Sequence, residues 1–234
     1  MATAASSHDN TAEPAFDTFI FDLDGTLLDT LPDLVLLTNA VLREEGFPER
    51  TEAEILSYVG NGVKALMHQA VPEDADEAAV EDAMRRWKEL YPQYGNELTR
   101  LYPGIPEVLA ALAERGVALG ALSNKFEAGV LQVLDEFLPG RFAVRHGEAP
   151  GIPRKPDPSG LLRTIGELGS AAARTVYVGD SPGDVATSRN AGVFSIGVSW
   201  GYHDREHLVA AGADAVIDHP SELLRFAPAA PAAG

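Results

Sequence analysis

Phe16-Asp17-Thr18-Phe19-Ile20-Phe21-Asp22-Leu23-Asp24-Gly25-Thr26-Leu27-Leu28-Asp29-Thr30 is the stretch on which the reading of this chain turns. Its first half, FDTFIFD, is short and rich in Phe and Ile, the pattern of a strand buried on both faces. Its second half sets two carboxylates, Asp22 and Asp24, at the carboxyl end of that strand. In an open parallel sheet, ligands bind outside the carboxyl ends of the strands, so both acids stand where chemistry is done. Gly25 and Thr26 permit a sharp turn that would bring backbone N–H groups toward an anion. Asp and Gly are also ordinary turn residues, but the apolar strand before them and LLDT after them argue for more than a turn.

Outward from this stretch, apolar runs recur at 117–123, 142–146, 175–179, 194–198 and 215–217. Helical patterns lie between them. Residues 105–115 end at Gly116, a C-terminal cap, and a second pattern after Phe126 lines up Val130, Leu131, Leu134 and Phe137. Asp157 and Pro158 announce a third as N-cap and first-position proline, with Leu161, Leu162, Ile165 and Leu168 inward. A fourth runs over 182–191 and stops at Gly192. Alternating strands and helices predict an α/β fold with a Rossmann-like parallel sheet core.

Residues 30–100 break the rhythm. Leu34, Leu37 and Val41 share a face; Thr51 and Glu54 have capping-box spacing; Val63, Leu66, Met67 and Ala70, then Val80, Met84, Trp87 and Tyr91, form apolar stripes. With no convincing strand, this segment reads as an inserted α-helical domain. The expected organisation is a core of 15–29 and 101–227 and a helical cap of 30–100. The small, polar or Pro-rich tails, 1–14 and 228–234, are expected to be disordered.

The 234 residues are 45% hydrophobic, enough for a sizeable core. Lys plus Arg total 18 against 35 Asp plus Glu, a net charge of −17 that repels nucleic acid and anionic membranes. The absence of cysteine excludes disulfides, thiol catalysis and cysteine-bound zinc. No secretion-signal pattern and no run of about 18 apolar residues is present, so the expected compartment is the cytoplasm.

Three further signals fall at later strand ends: Ser123-Asn124-Lys125, then Lys155-Pro156-Asp157-Pro158, then Gly179-Asp180-Ser181-Pro182-Gly183-Asp184. Each alone is weak, since a strand-end serine is usually a turn residue and a lone lysine a solvated charge. Four signals at one sheet edge are hard to assign to chance.

The order DLDGTLLDT, LSNK, KPDP, GDSPGD resembles the haloacid dehalogenase superfamily of phosphohydrolases over about 16–226, with the helical segment where that family carries its cap. YVGNGVKALM (58–67) and LYPGIPEVLAAL (101–112) are similar to the phosphoglycolate phosphatase family within it. The resemblance implies a Mg²⁺-dependent phosphatase acting on a small phosphorylated metabolite, 2-phosphoglycolate first, with no nucleic-acid or membrane partner, as monomer or homodimer. It implies Asp22 as nucleophile and Asp24 as general acid and base. The Asp22 carboxylate, Asp24 carbonyl and Asp180 carboxylate would be Mg²⁺ ligands, with Asp184 orienting groups around the metal or ligating it directly. It places Ser123 and Asn124, with nearby N–H groups, on the phosphoryl oxygens, and Lys155 as a fixed charge beside them. A cation is needed there. A carboxylate about 3.5 Å from a phosphate dianion meets roughly 9 kcal/mol of repulsion at an effective dielectric of ~20.

Asp157 reads better as a helix cap than as a catalyst. Asn61, between Gly60 and Gly62, could approach the ligand or simply make a turn; Lys64 could meet a substrate carboxylate or solvent. Arg85 and Arg86 read as surface charges, Trp87 and Trp200 as packing residues, and His203 with His207 as a weak metal pair. The rivals within the fold are a pyrophosphatase, a sugar phosphatase or phosphomutase, a dehalogenase, and a phosphonate hydrolase using Lys64 or Lys88. The rival from another class is a binding or regulatory protein, which would be expected to have lost Asp22, Asp24, Lys155 or Asp180.

Overall fold

The computed structural model describes residues 15–94 and 96–230. Residues 1–14 and 231–234, on which the tail expectation mostly rests, lie outside them. The elements begin with β1 (Thr18–Phe21), β2 (Leu28–Asp29), α1 (Leu31–Glu44), α2 (Glu52–Tyr58), α3 (Gly62–Ala70), α4 (Glu77–Tyr94), β3 (Arg100–Leu101) and α5 (Ile105–Glu114). Then follow β4 (Ala118–Phe126), α6 (Glu127–Phe137), β5 (Val144–Glu148), α7 (Ser159–Glu167), β6 (Thr175–Gly179), α8 (Pro182–Ala191), β7 (Phe194–Val198), α9 (Arg205–Ala211) and β8 (Ala215–Ile217).

Six strands form one parallel sheet in the order β5-β4-β1-β6-β7-β8. The opening stretch of sequence is its centre. Phe19 and Phe21 enter one apolar cluster, with α5 and α6, while Ile20 enters another with Leu122, Leu161, Ile165 and Tyr177. The period of two divides the strand between both faces, and each buried Phe or Ile contributes about 1.5–3 kcal/mol. Strand order reverses about β1, with β4 on one side and β6 on the other, so the ends of these three strands open a crevice.

Helices α1–α4 keep a separate apolar core. Leu37, Val41, Ile55, Met67 and Trp87 meet there, and the capping box of Thr51 and Glu54 starts α2. The buried Asp33 carboxylate accepts the N–H groups of Leu98 and Thr99 and the Thr99 hydroxyl, stitching the exit of this unit to its entrance. β2 and β3 pair antiparallel at the same junction. Two residues are too few to show a period of two, so the expected strand-free segment ends with a short strand unread.

Three expectations move. The strand placed at 117–123 runs on to Phe126, because β5 pairs with it as far as Phe126 opposite Glu148, past an irregularity after Leu122. The strand placed at 142–146 is Val144–Glu148. α7 begins at Ser159 with Pro158 at its cap position, and the Asp157 carboxylate accepts the Ser159 N–H. Leu161 and Ile165 face inward, but Leu162 is 46% exposed. Adjacent residues on a helix diverge by about 100°, so 161 and 162 cannot both join the 161–165–168 stripe.

Candidate active site

The two central strands deliver the acids. Asp22 follows β1, its N–H bound to the Val178 carbonyl at 2.9 Å, and Asp180 follows β6. Asp184 is the third residue of α8, where its Oδ2 accepts from the Ser181 N–H and hydroxyl in a capping box. Asp22, Asp180 and Asp184 are buried, and one carboxylate oxygen from each lies within 4.8 Å of the others.

Lys155, from the loop before α7, reaches into this group. Its Nζ lies 2.9 Å from Asp22 Oδ2, 2.7 Å from Asp184 Oδ1 and 3.0 Å from the Tyr177 hydroxyl. Both Asp184 oxygens therefore have partners, one in the helix cap and one on Lys155. Asp180 Oδ1 accepts the Thr26 hydroxyl at 2.9 Å, and its Oδ2 accepts the Tyr202 N–H at 2.9 Å. Asp22 Oδ1 is buried with no hydrogen-bond partner among the described residues.

Burial raises the pKa of Asp22, offset in part by Lys155. Burial, then Asp184 and Asp22, pushes Asp180 up to about 8. For Lys155 burial acts against the charge, but Asp184 and Asp22 outweigh it and hold the pKa well above the usual value. Three buried carboxylates against one ammonium leave an excess of two negative charges when all are ionised. An oxygen-rich cluster with that excess and an unpartnered Asp22 oxygen suits a hard divalent cation such as Mg²⁺.

Asp24 sits to one side. Its Oδ1 accepts the Thr30 hydroxyl at 2.7 Å and lies 3.2 Å from Lys125 Nζ. Lys125, next to Ser123 and Asn124 in the sequence, is a site residue that sequence reasoning quoted without giving a role. It is buried, and its ammonium lies 5.1 Å from the Tyr91 ring centroid. Tyr177 was also missed, because a tyrosine inside TVYV reads as core; its ring is core, while its hydroxyl meets Lys155 and Asp184.

Gly25 and Thr26 do not offer their N–H groups to a ligand. Those donors go to the carbonyls of Leu28 and Leu23. Gly25 (φ +82) instead lets the turn lie against Asp180: a Cβ there, or on Gly201, would collide with that side chain. Thr26 holds Asp180 through its hydroxyl, and Trp200 Nε1 holds the Thr26 carbonyl at 3.0 Å. The Asn124 side chain is likewise committed. Its Nδ2 donates to the Gly60 carbonyl at 2.8 Å and its Oδ1 accepts the Lys155 N–H at 2.9 Å, so it joins the helical insertion to the Lys155 loop. The backbone N–H groups of Gly25 and Thr26 and the side chain of Asn124 thus already have partners within the fold, while Asn124 also lines the chamber below the helical insertion.

Asp22, Asp24, Ser123, Lys125, Lys155 and Asp180 line one chamber of about 280 Å³, roofed by the helical insertion, with Asn61 at the wall. Lys64 turns to Glu77 at 2.6 Å, and Arg85 and Arg86 pair with Asp82, Glu89 and Glu44. His203 and His207 rings are 6.4 Å apart, and neither joins the carboxylate cluster. No helix among the described residues is long and apolar enough to cross a membrane.

Known proteins resemble this chain in sequence and in fold. The family model described as haloacid dehalogenase-like hydrolase matches residues 19–198. The N-acetylmuramic acid 6-phosphate phosphatase of Pseudomonas aeruginosa is 34% identical over 209 residues, 88% of this chain and 92% of that protein. A phosphoglycolate phosphatase of Vibrio parahaemolyticus is 33% identical over 211 residues, 87% of this chain and 92% of that protein. The crystal structure described as a predicted phosphoglycolate phosphatase from Haemophilus somnus superposes with a TM-score of 0.84 at 28% identity, over 90% of this chain and 97% of that one. With its acids at the ends of the central parallel strands and its helical insertion above them, the chain belongs to the haloacid dehalogenase-like hydrolase family, as an enzyme whose curated relatives here are phosphatases.

Proposed function

We propose that this enzyme is a Mg²⁺-dependent phosphatase that hydrolyses a small-molecule phosphate monoester through a phosphorylated Asp22. The buried cluster of Asp22, Asp180 and Asp184 around Lys155, at the floor of a roofed chamber, carries the reading. 2-Phosphoglycolate is the substrate that the names of the phosphoglycolate phosphatase relatives support.

Held by the Asp22 and Asp180 carboxylates and the Asp24 carbonyl, Mg²⁺ would supply the positive charge that lets two anions meet. Asp22 attacks phosphorus; its bond to phosphorus forms as the bond to the alcohol oxygen breaks. Asp24 protonates the departing oxygen, then takes a proton from the water that hydrolyses the aspartyl-phosphate. Lys155 keeps Asp22 oriented and adds fixed positive charge beside the transferring group. The Ser123 hydroxyl accepts the Lys125 N–H at 3.2 Å, which leaves its own proton for a phosphoryl oxygen. Asp184, with both oxygens engaged, orients Lys155. Helices α1–α4 act as a cap that excludes water, with Asn61 at the chamber wall.

A sugar phosphate is the second reading, favoured by the N-acetylmuramic acid 6-phosphate phosphatase relative. Phosphate release with Mg²⁺ from 2-phosphoglycolate, sugar phosphates and pyrophosphate tests both. Preference for pyrophosphate would overturn the substrate, and release from none of a broad ester panel would overturn the reaction.

A further inference from the structure

Above the carboxylate cluster the chamber changes character. The helical insertion lines it with Leu34, Leu56, Val59, Val63, Leu66 and Trp87. A two-carbon acid such as glycolate touches little of a wall that size in a chamber of about 280 Å³. An apolar wall gains affinity from apolar surface brought against it, and a leaving group that stops short of it forgoes that gain.

Two lysines line the chamber among the described residues. Lys155 serves the phosphoryl end, bound to Asp22 and Asp184. Lys125 stands on the other side of Asp24, with its side chain 4% exposed. Asp24 Oδ1 at 3.2 Å and the Tyr91 side chain are its described partners. An ammonium carries three donors, and a buried cation is stabilised by further anionic contact. The basic residues nearest the insertion's loop, Lys64 and Arg154, are not among the residues that line the chamber. Lys64 is bound to Glu77 and Arg154 to Glu148.

Resting on the phosphatase reading above, we propose that the substrates are O-phosphorylated 2-hydroxy acids bearing an apolar substituent. Lys125 receives the carboxylate, and the Leu34–Leu56–Val59–Val63–Leu66–Trp87 wall receives the substituent. In a 2-hydroxy acid the ester oxygen and the carboxylate hang from one carbon. Lys125 Nζ lies 3.2 Å from Asp24 Oδ1, so a group received by Lys125 stays close to the ester oxygen that Asp24 addresses. 2-Phosphoglycolate is the unsubstituted parent of this class, with hydrogen where the substituent would sit.

The test compares kcat/KM with Mg²⁺ for 2-phosphoglycolate, 2-phospholactate and 2-phospho-3-phenyllactate, and for 2-phenylethyl phosphate, the last lacking the carboxylate. Values should rise at least about tenfold from glycolate to phenyllactate, the scale of a small apolar difference in a fitted pocket. The phenyllactate ester should also exceed phenylethyl phosphate by about tenfold or more. Lys125→Gln should erase that second ratio, with Lys125→Arg retaining part of it, and Leu56→Asn should shrink the first. Each ratio is taken within one preparation, so a partly folded variant still reports it. The proposal is overturned if 2-phosphoglycolate is the best of the three acids, or if removing the carboxylate leaves kcat/KM unchanged. Hydrolysis of no ester, phenyl phosphate included, would overturn the phosphatase reading and this one with it.

Discussion

The Lys155 ammonium stands 2.9 Å from Asp22 Oδ2, while Asp22 Oδ1 is buried without a partner among the described residues. The ammonium thus fixes one oxygen of the carboxylate proposed to attack phosphorus. Asp22→Asn should lower phosphate release by about 10³-fold or more, since nucleophile removal costs at least this where it has been isolated. Wild-type enzyme quenched in acid during turnover should carry one phosphoryl mass on the peptide containing Asp22. Normal turnover by the variant would sink the mechanism.

Asp24 is held from two sides, by the Thr30 hydroxyl at 2.7 Å and by Lys125 at 3.2 Å. Asp24→Asn keeps the shape and loses the proton. Steady-state rates should fall by about 10²–10⁴-fold, the usual worth of a positioned acid or base. A loss of only a few fold would assign the proton transfers elsewhere.

The excess negative charge around Asp180 means that the proposed Mg²⁺ would stabilise the fold as well as serve catalysis. Adding Mg²⁺ to chelator-treated enzyme should raise its unfolding free energy by about 2.7 kcal/mol at a hundredfold over the dissociation constant. Thermal or urea melts read this without any substrate. Asp180→Asn should abolish most of the Mg²⁺-dependent shift; an unchanged shift would place the ion elsewhere.

Removing Lys155 leaves Asp22 and Asp184 buried without their cation. Lys155→Met should cost about 3–5 kcal/mol in the metal-free protein, the scale for one lost partner of a buried pair. The double variant with Asp184→Asn should recover part of that loss in urea denaturation. Equal loss in both would mean that packing, not charge, sets the penalty.

Trp87 ties the insertion to the core strand. Its ring meets Tyr91 at 5.4 Å and Phe126 of β4 at 5.9 Å, and its Nε1 donates to the Thr38 hydroxyl at 3.2 Å. Trp87→Ala should destabilise by about 3–5 kcal/mol. Protease cleavage within α1–α4 should rise with it; no change in either would place the insertion's stability elsewhere.

By itself the sequence determined the parallel core and the edge of it at which the acids gather. Phe19, Ile20 and Phe21 are buried however the chain closes, because a run apolar on both faces suits only an interior strand. Asp22, Lys155, Asp180 and Asp184 were legible as one edge because their motifs fall in the loops and helix starts that come after strands of that sheet. Asp24, in the opening stretch, was legible as an acid beside the site, but its neighbours were not. Only the tertiary structure decided that Lys125 turns onto Asp24 and Tyr177 onto Lys155 and Asp184. It also decided that Gly25 and Thr26 back Asp180, and that Asn124 bonds across to Gly60. Those outcomes depend on contacts between residues as much as 154 positions apart. A periodicity reports which face a residue takes, and a polar side chain's partner is set by what the fold brings opposite it.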